Sequence, residues 1–254
     1  MSIWIKALRL PICFLAGLLA IAGFRVSGIQ VFWTAIVAVV LIACSTMLQN
    51  DWRDRYHDVY TGKMLSFQHP RAFFVLLLVF WTVVCGFIVL VAVKNSNVGG
   101  LLATMALAGL IYSEIRMILT VPTILVALVS GSSALLPIMV GANAGKIWPL
   151  FISVVFIIFG REIMKDIDDQ QTDDGYKWTI PLAIGNKFAK VIAIASIIVG
   201  VVFVAKISLT ILFGLLPFTI VSVILLIRDA RLKTSRIYLD LGITITLMLI
   251  VLYN

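Results

Sequence analysis

The sequence predicts an all-α membrane protein that crosses the bilayer nine times. The chain is 62% hydrophobic and only 13% charged, and its mean hydropathy of +1.12 lies outside the range of soluble globular proteins. The apolar residues form continuous runs of roughly 20 residues, the length that a helix needs to cross a membrane. Because these runs do not alternate between apolar and polar residues, they indicate helices and not the strands of a β-barrel.

Nine apolar runs define the predicted spans. They lie at about residues 3–24, 29–49, 71–93, 97–113, 118–142, 147–164, 187–205, 207–227 and 237–253. No long polar segment separates them, so residues 1–254 are predicted to form a single membrane domain. The "AIAGF" stretch at 20–24 is similar to a signal-peptide cleavage site, but Arg9 and Pro11 interrupt that region and the run is long enough to span. We therefore interpret it as the first helix; cleavage, the alternative, would leave the other spans oriented identically.

The distribution of basic residues predicts the orientation. With the N-terminus in the cytoplasm, sixteen of the twenty Lys and Arg residues fall on the cytoplasmic side: Lys6, Arg9, Arg53, Arg55, Lys63, Arg71, Arg116, Arg161, Lys165, Lys177, Lys187, Lys190, Arg228, Arg231, Lys233 and Arg236. Such a bias follows the positive-inside rule. The net charge of +8 fits this role and attraction to anionic lipid head groups. Nucleic-acid binding is disfavoured because the basic residues form no compact module.

The acidic residues are even more one-sided. All twelve fall on the predicted cytoplasmic side: Asp51, Asp54, Asp58, Glu114, Glu162, Asp166, Asp168, Asp169, Asp173, Asp174, Asp229 and Asp240. Acidic residues contribute little to topology, so this bias indicates a function on that face. Cys13, Cys44 and Cys85 lie within spans without metal-ligand spacing and are interpreted as packing residues.

Two loops on that face carry the same acidic pattern. "NDWRDRYHD" follows the second span and "REIMKDIDDQQTDD" follows the sixth, and both contain D-x-x-D-x-x-x-D. The aspartates are Asp51, Asp54 and Asp58 in the first motif and Asp166, Asp169 and Asp173 in the second. On a helix each trio would occupy one narrow face. Asn50 lies beside the first trio and Glu162 shares the face of the second, whereas Asp168 lies on the opposite side, where it is expected to be solvated.

Three carboxylates on one helix face repel one another unless cations or protons neutralise them. Two such faces that meet would supply oxygen ligands suited to Mg²⁺, which completes its coordination shell with water and substrate phosphates. The chemistry that this favours is the handling of a diphosphate, whose departure the metal would assist.

Nine spans with N-D-x-x-D-x-x-x-D after the second and D-x-x-D-x-x-x-D after the sixth resemble the UbiA superfamily of intramembrane prenyltransferases. "REIMKDIDD" followed by "TIPLAIG" is most similar to the branch with archaeal digeranylgeranylglyceryl phosphate synthases and chlorophyll synthases. The resemblance implies a bundle of nine helices around a central cavity, with the two motifs facing each other at its cytoplasmic mouth. It implies transfer of a polyprenyl group, an alkyl group other than methyl, from a polyprenyl diphosphate to a lipophilic acceptor.

The resemblance also implies the roles of individual residues. Asn50, Asp54 and Asp58 would hold one Mg²⁺, and Asp169 and Asp173, helped by Asp166, the other. Asp51 completes the candidate metal ligands, and catalysis is expected to depend on Asp54, Asp58, Asp169 and Asp173. The family's Tyr-x-x-x-Lys feature corresponds to Tyr112 and Arg116 of "YSEIR", where Arg could clamp a phosphate but Tyr112 could equally be an interface anchor. Lys63 and Lys165 are further candidates for binding the diphosphate.

The acceptor and two other functions stay open at this point. The stretch "VYTGKMLSFQHPRAFF" departs from the loop that follows the first motif in many relatives, so the acceptor could be an aromatic ring, a prenylated glycerol phosphate, a chlorin or a sugar phosphate. A terpene cyclase would use the same metal site on the same donor. A cation transporter or channel, the remote alternative, would need ionisable groups near the centre of the spans, where the sequence has none.

Overall fold

The computed structural model describes residues 4, 7–59, 64–115, 118–173, 175–228 and 232–253. These residues form helices joined by short connections, with no β-strand among them. The predicted all-α fold class is therefore confirmed. Several residues named above lie outside the described residues, namely Lys6, Lys63, Arg116, Asp174, Asp229 and Arg231, as does the predicted start of the first span.

Within the described residues, nine helices follow the predicted spans. They are α1 Leu10–Ser27, α2 Trp33–Arg53, α3 Pro70–Lys94, α4 Ser96–Tyr112, α5 Val121–Ser132, α6 Ile147–Asp168, α7 Asn186–Ala205, α8 Leu209–Ile227 and α9 Leu232–Tyr253. In the part of the chain that the structure describes, eight segments are long and apolar enough to cross a membrane when α5 is counted through to Met139, and α4 is apolar but shorter, with 17 residues. Short helices at Leu65–Gln68, Gln170–Asp173 and Ile180–Ile184 lie between the long ones.

Two helices run beyond their predicted apolar ends. The run of α2 stops at about residue 49, yet the helix continues to Arg53, and α6 continues from about 164 to Asp168. Backbone hydrogen bonds do not require apolar side chains, so a helix can extend past the membrane into polar sequence. Each acidic motif consequently begins inside a helix that is anchored in the apolar core.

The fifth predicted span, about 118–142, is interrupted. The helix α5 ends at Ser132, a 3₁₀ turn spans Ser133–Leu135, and a further helical turn spans Leu136–Met139. Pro137 explains the break, because its ring lacks an N–H donor and clashes with the carbonyl four residues earlier, at Ser133.

Apart from α3, the long helices form a closed ring in which α1 joins two groups. One group contains α1 to α4 and the other α6 to α9, and each has its own buried apolar cluster. The helix α1 contributes to both, with Leu19 and Ala22 on one side and Ala20 and Phe24 on the other, and α9 packs against α1. The helix α3 lies outside α2 and α4, and only 17% of its apolar 18-residue stretch is buried.

Candidate active site at the meeting of the acidic motifs

A cavity opens between α2 and α4, which belong to one group, and the neighbouring helices α5 and α6. Its volume is about 510 Å³ with the open mouth included. Its lining combines polar and apolar side chains: Asn50, Tyr112, Ser113, Pro122, Thr123, Val126, Glu162, Lys165, Asp166, Lys177, Trp178 and Thr179. Thus each motif contributes a residue to one cavity, and residues 177–179 bring a further segment to its wall.

The first motif continues the backbone hydrogen bonding of α2 in steps of four residues. The N–H of Asp54 donates to the carbonyl of Asn50 at 2.9 Å, and that of Asp58 donates to the carbonyl of Asp54 at 2.8 Å. The amide Nδ2 of Asn50 also donates to Asp54 Oδ2 at 3.0 Å. Asp51, Asp54 and Asp58 are all buried, and Asp51 forms an ion pair with Arg9 at the start of α1.

The second motif repeats this local geometry at the end of α6. The N–H of Asp169 donates to the carbonyl of Lys165 at 2.9 Å, and that of Asp173 donates to the carbonyl of Asp169, also at 2.9 Å. The side chain of Asp173 is buried and accepts a hydrogen bond from Lys177 Nζ at 2.9 Å. Asp166 lies three residues before Asp169 and accepts a long hydrogen bond, 3.4 Å, from Thr123 of α5. The helices end inside both motifs, so neither acidic trio lies on one uninterrupted helix.

Tyr176 joins the two motifs. Its hydroxyl donates to Asp54 Oδ1 at 2.7 Å. Its ring stacks on His57, with the ring centroids 4.0 Å apart and the planes 7° from parallel. The segment after the second motif is therefore in direct contact with the first motif, although 122 residues separate Tyr176 from Asp54 in the sequence.

A network of ion pairs lies at the cavity wall formed by α6. Glu162 lies within 2.5 Å of Arg161 and 3.7 Å of Lys165, and Arg161 also donates two hydrogen bonds to Asp240 of α9, at 2.6 and 3.0 Å. Ionisable side chains within membrane-spanning helices are costly unless they are paired. The pairs run from Lys165, a cavity residue, through Glu162 and Arg161 to Asp240, so they link this part of α6 to α9.

The donor chemistry of the motifs fits Mg²⁺. Among the described residues, no three His, Cys, Asp or Glu side chains converge into a preformed metal site. The groups are nevertheless hard oxygen ligands of the kind that Mg²⁺ prefers. Asp173 Oδ2 is buried and accepts no hydrogen bond from any described residue, so the carboxylate retains an acceptor that a cation could use.

The structure places the predicted site residues at different distances from the cavity. Asn50, Tyr112, Lys165 and Asp166 line it. Asp54 and Asp173 are buried. They accept hydrogen bonds from Tyr176 and Lys177, respectively, which belong to the segment that continues into the cavity wall. Asp51 and Asp58 are buried and Asp169 is half-buried, but none of the three lines the cavity. Lys63 and Arg116 lie outside the described residues, and Asp168 is exposed, as expected, and pairs with Arg236 at 2.6 Å.

Several residues of the site were not assigned from the sequence, among them Thr123, Tyr176, Lys177 and Thr179. Lys177 carried a usable signal, because it lies four residues after Asp173 and an opposite charge at that spacing pairs on a helical turn. Tyr176 and the two threonines carried none, since their roles depend on contacts with distant parts of the chain.

These features define an integral, multi-pass membrane protein with an acidic and cationic site at one end of its helix bundle. The model of the UbiA prenyltransferase family matches residues 10–238. The chain belongs to that family, and the resemblance seen in the motifs is confirmed.

Solved structures show the same fold. An apo structure of a UbiA homologue from Aeropyrum pernix K1 aligns with a TM-score of 0.73 at 16% sequence identity, covering 93% of this chain and 96% of that one. A structure from work on digeranylgeranylglyceryl phosphate synthase in membranes aligns with a TM-score of 0.66 at 18% identity, covering 98% and 96%. No curated protein matches the sequence.

Proposed function

We propose that the protein transfers a polyprenyl group from a polyprenyl diphosphate to a lipophilic acceptor within the membrane. The observation that carries this proposal is the contact between Tyr176 and Asp54, which joins two acidic motifs with the same backbone hydrogen bonds, each of which contributes a residue to one cavity. Family membership supports the same class of reaction. The product would carry a new alkyl group other than methyl.

The acidic side chains would hold Mg²⁺. Asn50, Asp51, Asp54 and Asp58 on one side and Asp166, Asp169 and Asp173 on the other supply the candidate oxygen ligands. When bound, Mg²⁺ would neutralise the charge that develops on the departing diphosphate.

The lysines and the helix bundle would do the remaining work. Lys165 and Lys177 line the cavity, where their ammonium groups would attract the diphosphate and favour the negative charge it gains as the C–O bond breaks. The isoprenoid chain would lie among the apolar side chains of the bundle. Burial there would keep water from the reactive allylic carbon, which water would otherwise convert to an alcohol.

We further propose that this site faces the cytoplasm. The proposal is supported by the sixteen basic residues that the nine-span topology places on the same side as both motifs.

The acidic residues test the proposed reaction. Asp54→Ala and Asp173→Ala are each expected to lower transfer by at least about a hundredfold, because each removes a buried carboxylate from the site. Product masses and diphosphate release would be measured with farnesyl or geranylgeranyl diphosphate, Mg²⁺ and a host membrane extract as the source of acceptor.

Asp168→Ala is the matched control. Asp168 belongs to the same acidic stretch but is exposed and pairs with Arg236, so this variant should retain transfer within a few-fold. All three variants should insert and purify as the parent does. Undiminished transfer by both Asp54→Ala and Asp173→Ala would refute the site.

A further inference from the structure

Thr179 lies in the cavity wall with an unused hydroxyl group. The residue lines the cavity and is only 6% exposed. Its Oγ1 is buried and forms no hydrogen bond with any described residue. A buried hydroxyl without a partner destabilises a folded protein, so such a group calls for an explanation.

The local fold does not require this hydroxyl. Thr179 has extended backbone dihedrals, φ −109° and ψ 161°, and its carbonyl accepts the N–H of Ala183 in the following helical turn at 3.1 Å. The backbone of Thr179 is therefore fixed by bonds that valine would make equally well. Packing likewise gives no reason for an oxygen, because valine has nearly the same shape.

The two carboxylates in the cavity wall are already engaged by other residues. Glu162 is paired with Arg161 and Lys165, and Asp166 accepts from Thr123. The neighbouring groups that would attract a ligand are the ammonium groups of Lys165 and Lys177. A hydroxyl donor in the same cavity wall as two cations suits the oxygens of a phosphate.

We propose that Thr179 is a substrate-binding residue whose hydroxyl donates a hydrogen bond to a phosphate oxygen of the bound diphosphate. This inference rests on the proposed function, since it assigns a further ligand of the same diphosphate. It also accounts for the unused hydroxyl, whose partner arrives with the substrate.

The test measures binding and stability without relying on turnover. Thr179→Val is expected to weaken binding of inorganic pyrophosphate, measured by calorimetry in detergent with Mg²⁺, by about tenfold, as expected for loss of a hydrogen bond to a charged group. Thr179→Ser should bind within about threefold of the parent, because it restores the donor. The melting temperature of ligand-free Thr179→Val should equal or exceed that of the parent.

Thr219→Val is the matched control. Thr219 is also 6% exposed, but it lies in α8 away from the cavity and its hydroxyl donates to the carbonyl of Leu215 at 3.0 Å. This variant should bind pyrophosphate as the parent does. Parent-like binding by Thr179→Val, or a lowered melting temperature with binding unrestored in Thr179→Ser, would overturn the role of Thr179 alone. Absence of pyrophosphate binding by the parent would overturn the proposed function, and the role of Thr179 with it.

Discussion

Tyr176 shows how one side chain can hold two distant motifs together. Its hydroxyl donates to the buried carboxylate of Asp54, and its ring covers His57, which lies next to Asp58. In the same segment Lys177 pairs with Asp173. The repulsion among buried carboxylates is thus offset by donors from residues 176 and 177, which follow directly on the second motif.

A double-mutant cycle would measure the bond between Tyr176 and Asp54. Tyr176→Phe keeps the ring that stacks on His57 and removes the hydroxyl, whereas Asp54→Ala removes the acceptor. Because each single variant breaks the same bond, their effects on the free energy of unfolding should fail to add by about 1 kcal/mol. Unfolding would be followed in detergent micelles. Tyr176→Phe combined with Asp168→Ala is the control pair, expected to be additive within about 0.5 kcal/mol, and additivity in the first pair would contradict the bond.

At the residue scale, the aspartates of the two motifs could be predicted from their spacing in the sequence. Asp54 and Asp58 match Asp169 and Asp173 in spacing, and the structure gives both pairs the same backbone hydrogen bonds. Thr179 could not be found in this way, because a threonine before an apolar stretch looks like any other. Its distinguishing property, burial without a hydrogen bond, exists only after α2, α5 and α6 have come together around it.

At the scale of elements, the position of the second motif depends on how closely α6 packs against α7. A Cβ placed on Gly160 of α6 would lie 2.7 Å from the carbonyl oxygen of Ala193, and one on Gly200 of α7 would lie 2.8 Å from that of Ser153. Two backbones can approach this closely only where glycine leaves room, which is a common device between membrane helices. Gly160 lies two residues before Glu162, so this contact fixes the part of α6 that carries the cavity residues.

Gly160→Ala should therefore destabilise the protein. The added methyl group would force α6 and α7 apart, at a cost of about 1–3 kcal/mol for overpacking. The measurement is the midpoint of thermal unfolding in detergent. Gly86→Ala is the control, because Gly86 lies in the middle of α3 with nothing within 4 Å of the added Cβ, and it should be neutral or slightly stabilising. Equal midpoints for the two variants would refute the close contact.

The elements themselves were largely predictable because apolar runs of about 20 residues have few alternatives in a bilayer. The residues at which the helices end were harder to predict. Hydropathy stops at the last apolar residue, while the backbone of α2 and α6 continues for another turn into the polar motifs. The break after Ser132 was also missed, since "GSSALLP" remains apolar overall and only the steric effect of Pro137 interrupts the helix.

At the scale of the whole molecule, the site lies on the boundary between two helix groups. The first motif begins at the end of a helix of one group and the second at the end of a helix of the other, and the cavity is lined from both. The ion pair between Arg161 and Asp240 links α6 to α9. The helix α9 in turn packs against α1 and closes the ring. A site built in this way requires the complete ring, because neither group alone holds both motifs.

The orientation of this ring in the membrane can be tested directly at α3, because basic residues mark its two ends. Arg71 and Lys94 are both exposed, and the positive-inside rule places Arg71 in the cytoplasm and Lys94 on the opposite side. In a Cys85→Ser background, which removes the exposed native thiol, a membrane-impermeant maleimide added to inside-out vesicles should label Arg71→Cys but not Lys94→Cys. Detergent should make both positions reactive, which controls for intrinsic reactivity. Labelling of Lys94→Cys alone in intact vesicles would reverse the topology and place both acidic motifs on the outer face.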